Sequence, residues 1–273
     1  MSELTKRILF AVPAAALFLY ITYLGGLFFA ALITLITLFV QKELLVILQN
    51  AGFKADSYFP YLIGLCIVGA SVVPHAPAIV LALFLLFIGI QIFRVGGQEL
   101  RSLIATFFCS IYAPAGFLML ILIRETGAAE TGFVLTLSLL LMVWGNDVFA
   151  YFGGKSLGKN KLAPSVSPNK TWEGFFFGVL GAFVGLLIVY YLVPLTYPAV
   201  WWQMLPAVVL VSIFGPIGDL TESRLKRAAN VKDASSILPG HGGFFDRFDA
   251  LILAAPAFYL YIYWLQISGY ASF

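Results

Sequence analysis

Ionised side chains are scarce in this chain. Asp, Glu, Lys and Arg make up 11% of its 273 residues, where a soluble domain carries about a quarter. Residues 8–41, 57–93 and 174–218 contain none at all. That scarcity excludes a water-soluble globule. Cysteine and histidine are rarer still, with two of each. Cys66 and Cys109 lie in apolar stretches without partner spacing, so they read as small packing residues and not as a disulfide framework. His75 falls in a Pro-rich turn and His241 in a glycine turn, and neither has the spacing of a zinc site. No internal repeat is visible, which argues against transporter folds built from inverted repeats. Gly154-Lys155-Ser156 ends like a P-loop, but Phe149 stands where the first glycine is required, and no strand precedes it.

What is abundant is apolar: 61% of residues, with a mean hydropathy of +0.97. About 20 apolar residues in helical form cross a bilayer core. Measured against that length, the chain predicts an all-α polytopic membrane protein with about nine spans. They fall near 8–24, 26–41, 58–74, 77–93, 102–123, 131–151, 173–193, 199–218 and 250–268. Residues 1–130 form an N-terminal set of about five spans. Residues 131–273 form a C-terminal region with internal loops at 152–172 and 219–249. An N-terminus on the inside places fifteen of the sixteen Lys and Arg residues there and leaves only Arg124 outside, as the positive-inside rule requires. The C-terminus is then external. The first apolar run is too long for a cleaved signal and leads straight into the second, so it reads as a retained helix. Small residues at Gly174, Gly178 and Ala182, and at Gly181 and Gly185, allow close approach of a neighbouring helix.

Unusual chemistry is confined to the second half. Asp219, Asp246 and Asp249 lie at the inner ends of two spans, where hard oxygen ligands suit Mg²⁺ shared with substrate phosphates. Arg224, Lys226, Arg227, Lys232 and Arg247 are the complementary cations for phosphate oxygens. Gly240-His241-Gly242-Gly243 permits a tight turn opening a helix, where free N–H groups attract anions. Asp147 is an acid in an otherwise apolar span, which marks a functional position. Ser167, Asn169, Lys170 and Thr171 offer hydroxyl, amide and ammonium groups to either a base or a phosphate. Acids, cations and a glycine turn together describe phosphoryl or nucleotidyl transfer.

Ser223, Leu225, Lys226, Arg227, Lys232, Asp233, Pro239, His241, Gly242, Gly243, Phe244, Asp246, Arg247, Phe248 and Asp249 fill every constrained position of a known signature. On these residues the chain resembles the CDP-diacylglycerol synthases, or phosphatidate cytidylyltransferases. The segments Asp147–Tyr151 and Ser167–Gly174 look like further family blocks, with Asn169 departing from an expected Lys. The resemblance implies transfer of a cytidylyl group from CTP to phosphatidic acid in phospholipid biosynthesis, releasing pyrophosphate. It implies Mg²⁺, with K⁺ as an allowed second ion, and a multi-pass protein of the cell inner (plasma) membrane with its site facing the cytoplasm. It leaves room for a homodimer and implies no nucleic acid. Asp219, Asp246 and Asp249 would hold metal, with Lys226, Arg227, Lys232 and Arg247 in the catalytic centre. Asp147, Ser167, Asn169, Lys170, Thr171, Ser223, His241, Gly242 and Gly243 would bind substrate. An ion-coupled transporter using Asp147 and Asp219 predicts charge spread along a pathway. A scaffold without catalysis predicts loss of the acids, and all are present. Within the enzyme class, the closest rivals are a CTP-dependent synthase for ether-linked lipid phosphates and a polyprenol kinase.

Overall fold

The structure is a computed structural model that describes residues 3–73, 75–93, 99–238, 240 and 242–271. Among these there are nine α-helices and one two-stranded antiparallel sheet. In order they are α1 (Glu3–Leu24), α2 (Gly26–Asn50), α3 (Phe59–Val68), α4 (Ala76–Ile92), α5 (Glu99–Arg124), α6 (Ala129–Leu157), β1 (Lys161–Ala163), β2 (Ser167–Thr171), α7 (Trp172–Leu192), α8 (Leu205–Ala228) and α9 (Phe245–Ile267). Six of the helices are long and apolar enough to cross a membrane: α2, α5, α6, α7, α8 and α9. Three further apolar helical stretches, at Ala11–Leu24, Phe59–Ser71 and Ala76–Gln91, are shorter. The protein is therefore a nearly all-α, multi-pass membrane protein.

Three helices run well past the apolar stretches that mark them in the sequence, whereas α3 stops short of its own. Hydropathy reports where lipid surrounds the chain, whereas backbone hydrogen bonding continues past that edge. Thus α2 runs to Asn50, α6 to Leu157 and α8 to Ala228. Asp219–Ala228, expected as loop, is helical. The expected loop 152–172 holds the end of α6 and the β1–β2 hairpin.

The chain divides into two compact units. One comprises 1–121 and 224–248; the other comprises 122–223 and 249–273. In the first, Gly25 and Gly26 adopt positive φ (66° and 52°), conformations that separate α1 from α2 without a longer loop. The α2 residues Phe29, Ile33, Val40 and Leu44 are fully buried. Gln41 is buried with them because its amide donates to the carbonyls of Pro60 and Cys109, at 2.7 and 3.1 Å, which ties α2 to α3 and α5. Asp56 accepts from the N–H groups of Tyr58 and Phe59 at the entry to α3.

In the second unit, α6 and α7 touch backbone to backbone. A Cβ on Gly181 would strike the Gly145 carbonyl, one on Gly145 would strike the Gly181 carbonyl, and one on Gly185 would strike the Leu141 carbonyl. The small-residue stripe read from the sequence is thus a helix–helix contact in the structure. A Cβ on Gly218 of α8 would likewise meet the Asp249 carbonyl of α9.

Candidate active site

The hairpin between α6 and α7 organises one side of the site. Lys161 pairs with Thr171 and Ala163 with Ser167. Thr171 is the N-cap of α7, accepting from the Gly174 N–H at 3.1 Å. Glu173 accepts from the backbone N–H of Lys159 and from both backbone and side-chain N–H groups of Asn160. These bonds fix Asn169 and Lys170 over the start of α7.

Lys170 forms an ion pair with Asp219 of α8 at 2.5 Å. One helical turn along, Ser223 donates weakly to Asp219 at 3.4 Å. Asp219, Glu222 and Asp249 present carboxylate oxygens that all lie within 4.8 Å of one another. Glu222 is buried and the two aspartates are half-buried. Like charges this close repel, and a neighbouring cation relieves that repulsion, as Lys170 does at Asp219. The donor set is all oxygen and half-enclosed, which fits a hard divalent ion.

Beside this cluster lies a cavity of about 520 Å³. Asp147, Lys155, Lys161, Asn169, Lys170 and Asp219 are among its walls, with Tyr151 and Phe175 adding aromatic surface. Its volume is in the range of small-molecule and cofactor sites. Both charge signs and aromatic faces are present, and its lysines and rings can meet phosphates and a base. Asp147, Asn169, Lys170 and Thr171 therefore share one cavity, and Asp219 sits at its edge with Asp249 adjacent. Ser167, at the far end of β2, does not line it.

The signature residues between Ser223 and Asp249 belong to the other unit. There Asp246 accepts from the Lys226 ammonium at 2.7 Å and from the N–H groups of Ala234 and Gly243 at 3.0 and 2.7 Å. Gly242 has a positive φ of 79°, and a Cβ there would lie 2.5 Å from Asp246. The Gly243 N–H, expected to face an anion, thus already donates to a carboxylate of its own chain. Arg227, Lys232 and Arg247 are exposed. His241 and Pro239 lie outside the described residues. Sequence reading missed Glu222. The signal was present, because Glu222 is three residues after Asp219 and shares its face once α8 is extended.

Comparison with known proteins gives a consistent result. A model described as "Cytidylyltransferase family" matches residues 5–265. The phosphatidate cytidylyltransferase of Bacillus subtilis is 34% identical over 270 residues, covering 95% of this chain and 97% of that protein. That of Brucella abortus is 36% identical over 273 residues, covering 96% and 94%. The Pseudomonas aeruginosa enzyme of the same name is 46% identical over 126 residues, about 45% of each chain.

Proposed function

Because the chain belongs to the cytidylyltransferase family and is a nucleotidyltransferase, we propose that it makes CDP-diacylglycerol and pyrophosphate from CTP and phosphatidic acid. The observation that carries this reading is the carboxylate cluster Asp219–Glu222–Asp249 beside a cavity lined by lysines and aromatic rings. Relatives of nearly full length bear the name of that activity.

In this reading the nucleotide lies in the cavity, with Lys155, Lys161 and Lys170 against its phosphates and Tyr151 and Phe175 beside its base. Asp219, Glu222 and Asp249 would hold Mg²⁺, with K⁺ as a possible second ion of the same oxygen-rich site. When bound, such an ion neutralises charge on the α-phosphate and on the departing pyrophosphate. A phosphate oxygen of phosphatidic acid attacks the α-phosphorus of CTP. The bond to the β-phosphate breaks, and pyrophosphate leaves with its electron pair. The attacking phosphate monoester is already ionised near neutral pH, so no strong base is needed. The Lys170 ammonium against Asp219 sets the position of that carboxylate and offsets part of its charge. Asp246, whose oxygens hold Lys226 and two backbone N–H groups, shapes the signature turn. Arg227, Lys232 and Arg247 keep the anion-binding roles that the signature implies.

The proposed topology has nine crossings, the N-terminus in the cytoplasm and the C-terminus outside. It follows from the fifteen-to-one charge asymmetry and places the site at the cytoplasmic face of the inner membrane. A homodimer is compatible with it.

The test is incorporation of label from CTP into lipid by the purified protein in detergent, with and without phosphatidic acid and Mg²⁺. Product is expected only when both are present. CTP and dCTP should compete well above ATP and GTP. No labelled lipid from phosphatidic acid would overturn the assignment, and equal competition by ATP would remove cytidine selectivity from it.

A further inference from the structure

Glu43 has no role in the reading above. It lies in the C-terminal third of α2, far from the signature in sequence, and is only 2% exposed. A carboxylate in such a place costs free energy unless it is fully partnered. Its partners all come from the signature segment. Oε1 accepts from the Ser235 hydroxyl at 2.6 Å and from the Phe244 N–H at 3.0 Å. Oε2 accepts from the Phe245 N–H at 2.7 Å. One turn earlier on α2, the Phe39 ring stacks on the Phe244 ring with centroids 4.7 Å apart and planes 9° from parallel. A Cβ on Gly243 would lie 2.5 Å from both Glu43 oxygens.

These contacts account for the N–H groups at the entry to α9, up to its first residue Phe245. Gly243 donates to Asp246, while Phe244 and Phe245 donate to Glu43. Helix starts normally satisfy such groups from their own N-cap side chain. Here a distant helix supplies the cap, at the positive end of the α9 dipole where an anion is favoured. From this geometry we infer that Glu43 is a positioning residue for the cytidylyl-transfer machinery. It clamps the Gly242–Phe245 turn so that Asp246 and the first turn of α9 keep a single orientation. The inference rests on the proposed function for its consequence, but not for the clamp itself.

Glu43→Gln keeps the shape of the side chain but sets an NH₂ group against one of its N–H donors. The expected result is at least a tenfold loss of turnover per folded molecule. Hydrogen–deuterium exchange of the Phe244 and Phe245 amides should quicken at least tenfold. Gln41→Met is the matched control. It removes buried hydrogen bonds two residues away on the same helix without touching the turn, and should lower melting temperature while leaving turnover intact. If the two variants lose activity in proportion to stability, Glu43 is merely structural and the inference fails. It fails equally if exchange at 244–245 is unchanged in Glu43→Gln. Should Glu43→Gln not fold, Gly243→Ala pushes the carboxylate away from the other side. It should give the same exchange signature, and an unchanged signature there would also refute the clamp. Wild-type protein inactive with phosphatidic acid would sink the proposed function alone, since the exchange measurement needs no turnover.

Discussion

Replacing Asp249 by Asn separates a metal site from an ordinary acidic cluster because only a metal site ties turnover and stabilisation by Mg²⁺ to that carboxylate. Asn keeps the volume of the side chain and an oxygen that can still accept the Ala250 N–H, a bond of 2.8 Å in the structure. What it removes is one negative charge from a group whose oxygens lie within 4.8 Å of one another. At that separation and an effective dielectric of about 20, each like-charged pair repels by about 3.5 kcal/mol. Screening at half-exposed carboxylates reduces the net relief to about 1–2 kcal/mol. The metal-free variant should therefore melt a few degrees higher than wild type in detergent. Wild type should gain stability from Mg²⁺, by about 2.7 kcal/mol at a hundred times its dissociation constant, and the variant should lose most of that gain. Turnover should fall at least a hundredfold, since metal-assisted charge stabilisation supplies several kcal/mol and about 1.4 kcal/mol is tenfold in rate. The assay is specific activity across a Mg²⁺ series alongside thermal unfolding with and without the ion. Near-normal turnover at every Mg²⁺ concentration, or a stabilisation by Mg²⁺ as large as that of wild type, would refute the cluster as a metal site.

Lys170→Met should raise the KM for CTP at least tenfold and lower turnover, because it strips the cavity of a cation and leaves Asp219 without the ion pair seen at 2.5 Å; steady-state kinetics at varied CTP check this. Gly181→Ala should lower melting temperature and yield of folded protein, since the added methyl meets the Gly145 carbonyl and overpacking typically costs about 1–3 kcal/mol. Single accessible cysteines near Ala163 and Ala234 should be labelled only by reagents admitted to the cytoplasmic side, and labelling of either from outside would break the proposed topology.

Much of the helical framework was legible because charge-free runs have few alternatives in a membrane chain. Their ends were not. The residues that extend α2 beyond position 41 include Glu43, a charged group that looks like loop chemistry until its partners are known. Those partners are Ser235, Phe244 and Phe245, and no local signal announces them. At the site, Asp249 was identifiable from the signature and Asp219 from its place at the inner end of a span, whereas Glu222 joins them only once α8 is known to run past Asp219. Asp246 and Asp249 are three apart at the start of α9, and spacing alone gave them the same task. Their positions differ: Asp246 sits where a first-turn acid reaches back to the N–H preceding its helix, and it does so to Gly243. The β1–β2 hairpin carries too few residues to show a strand period.

The glycine contact between α6 and α7 has a mechanical consequence. Side-chain interfaces can be retuned by a change of rotamer, but two backbones in contact have no rotamers to change. The pair behaves as a ruler of fixed length, with Asp147 marked on one edge and Lys170 just past the end of the other. A bilayer that thickens or thins forces helices to tilt, and these two must tilt as one body. The spacing between Asp147 and Lys170 is thereby insulated from the thickness of the membrane, which is the one dimension of its surroundings that a lipid-synthesising cell continually alters.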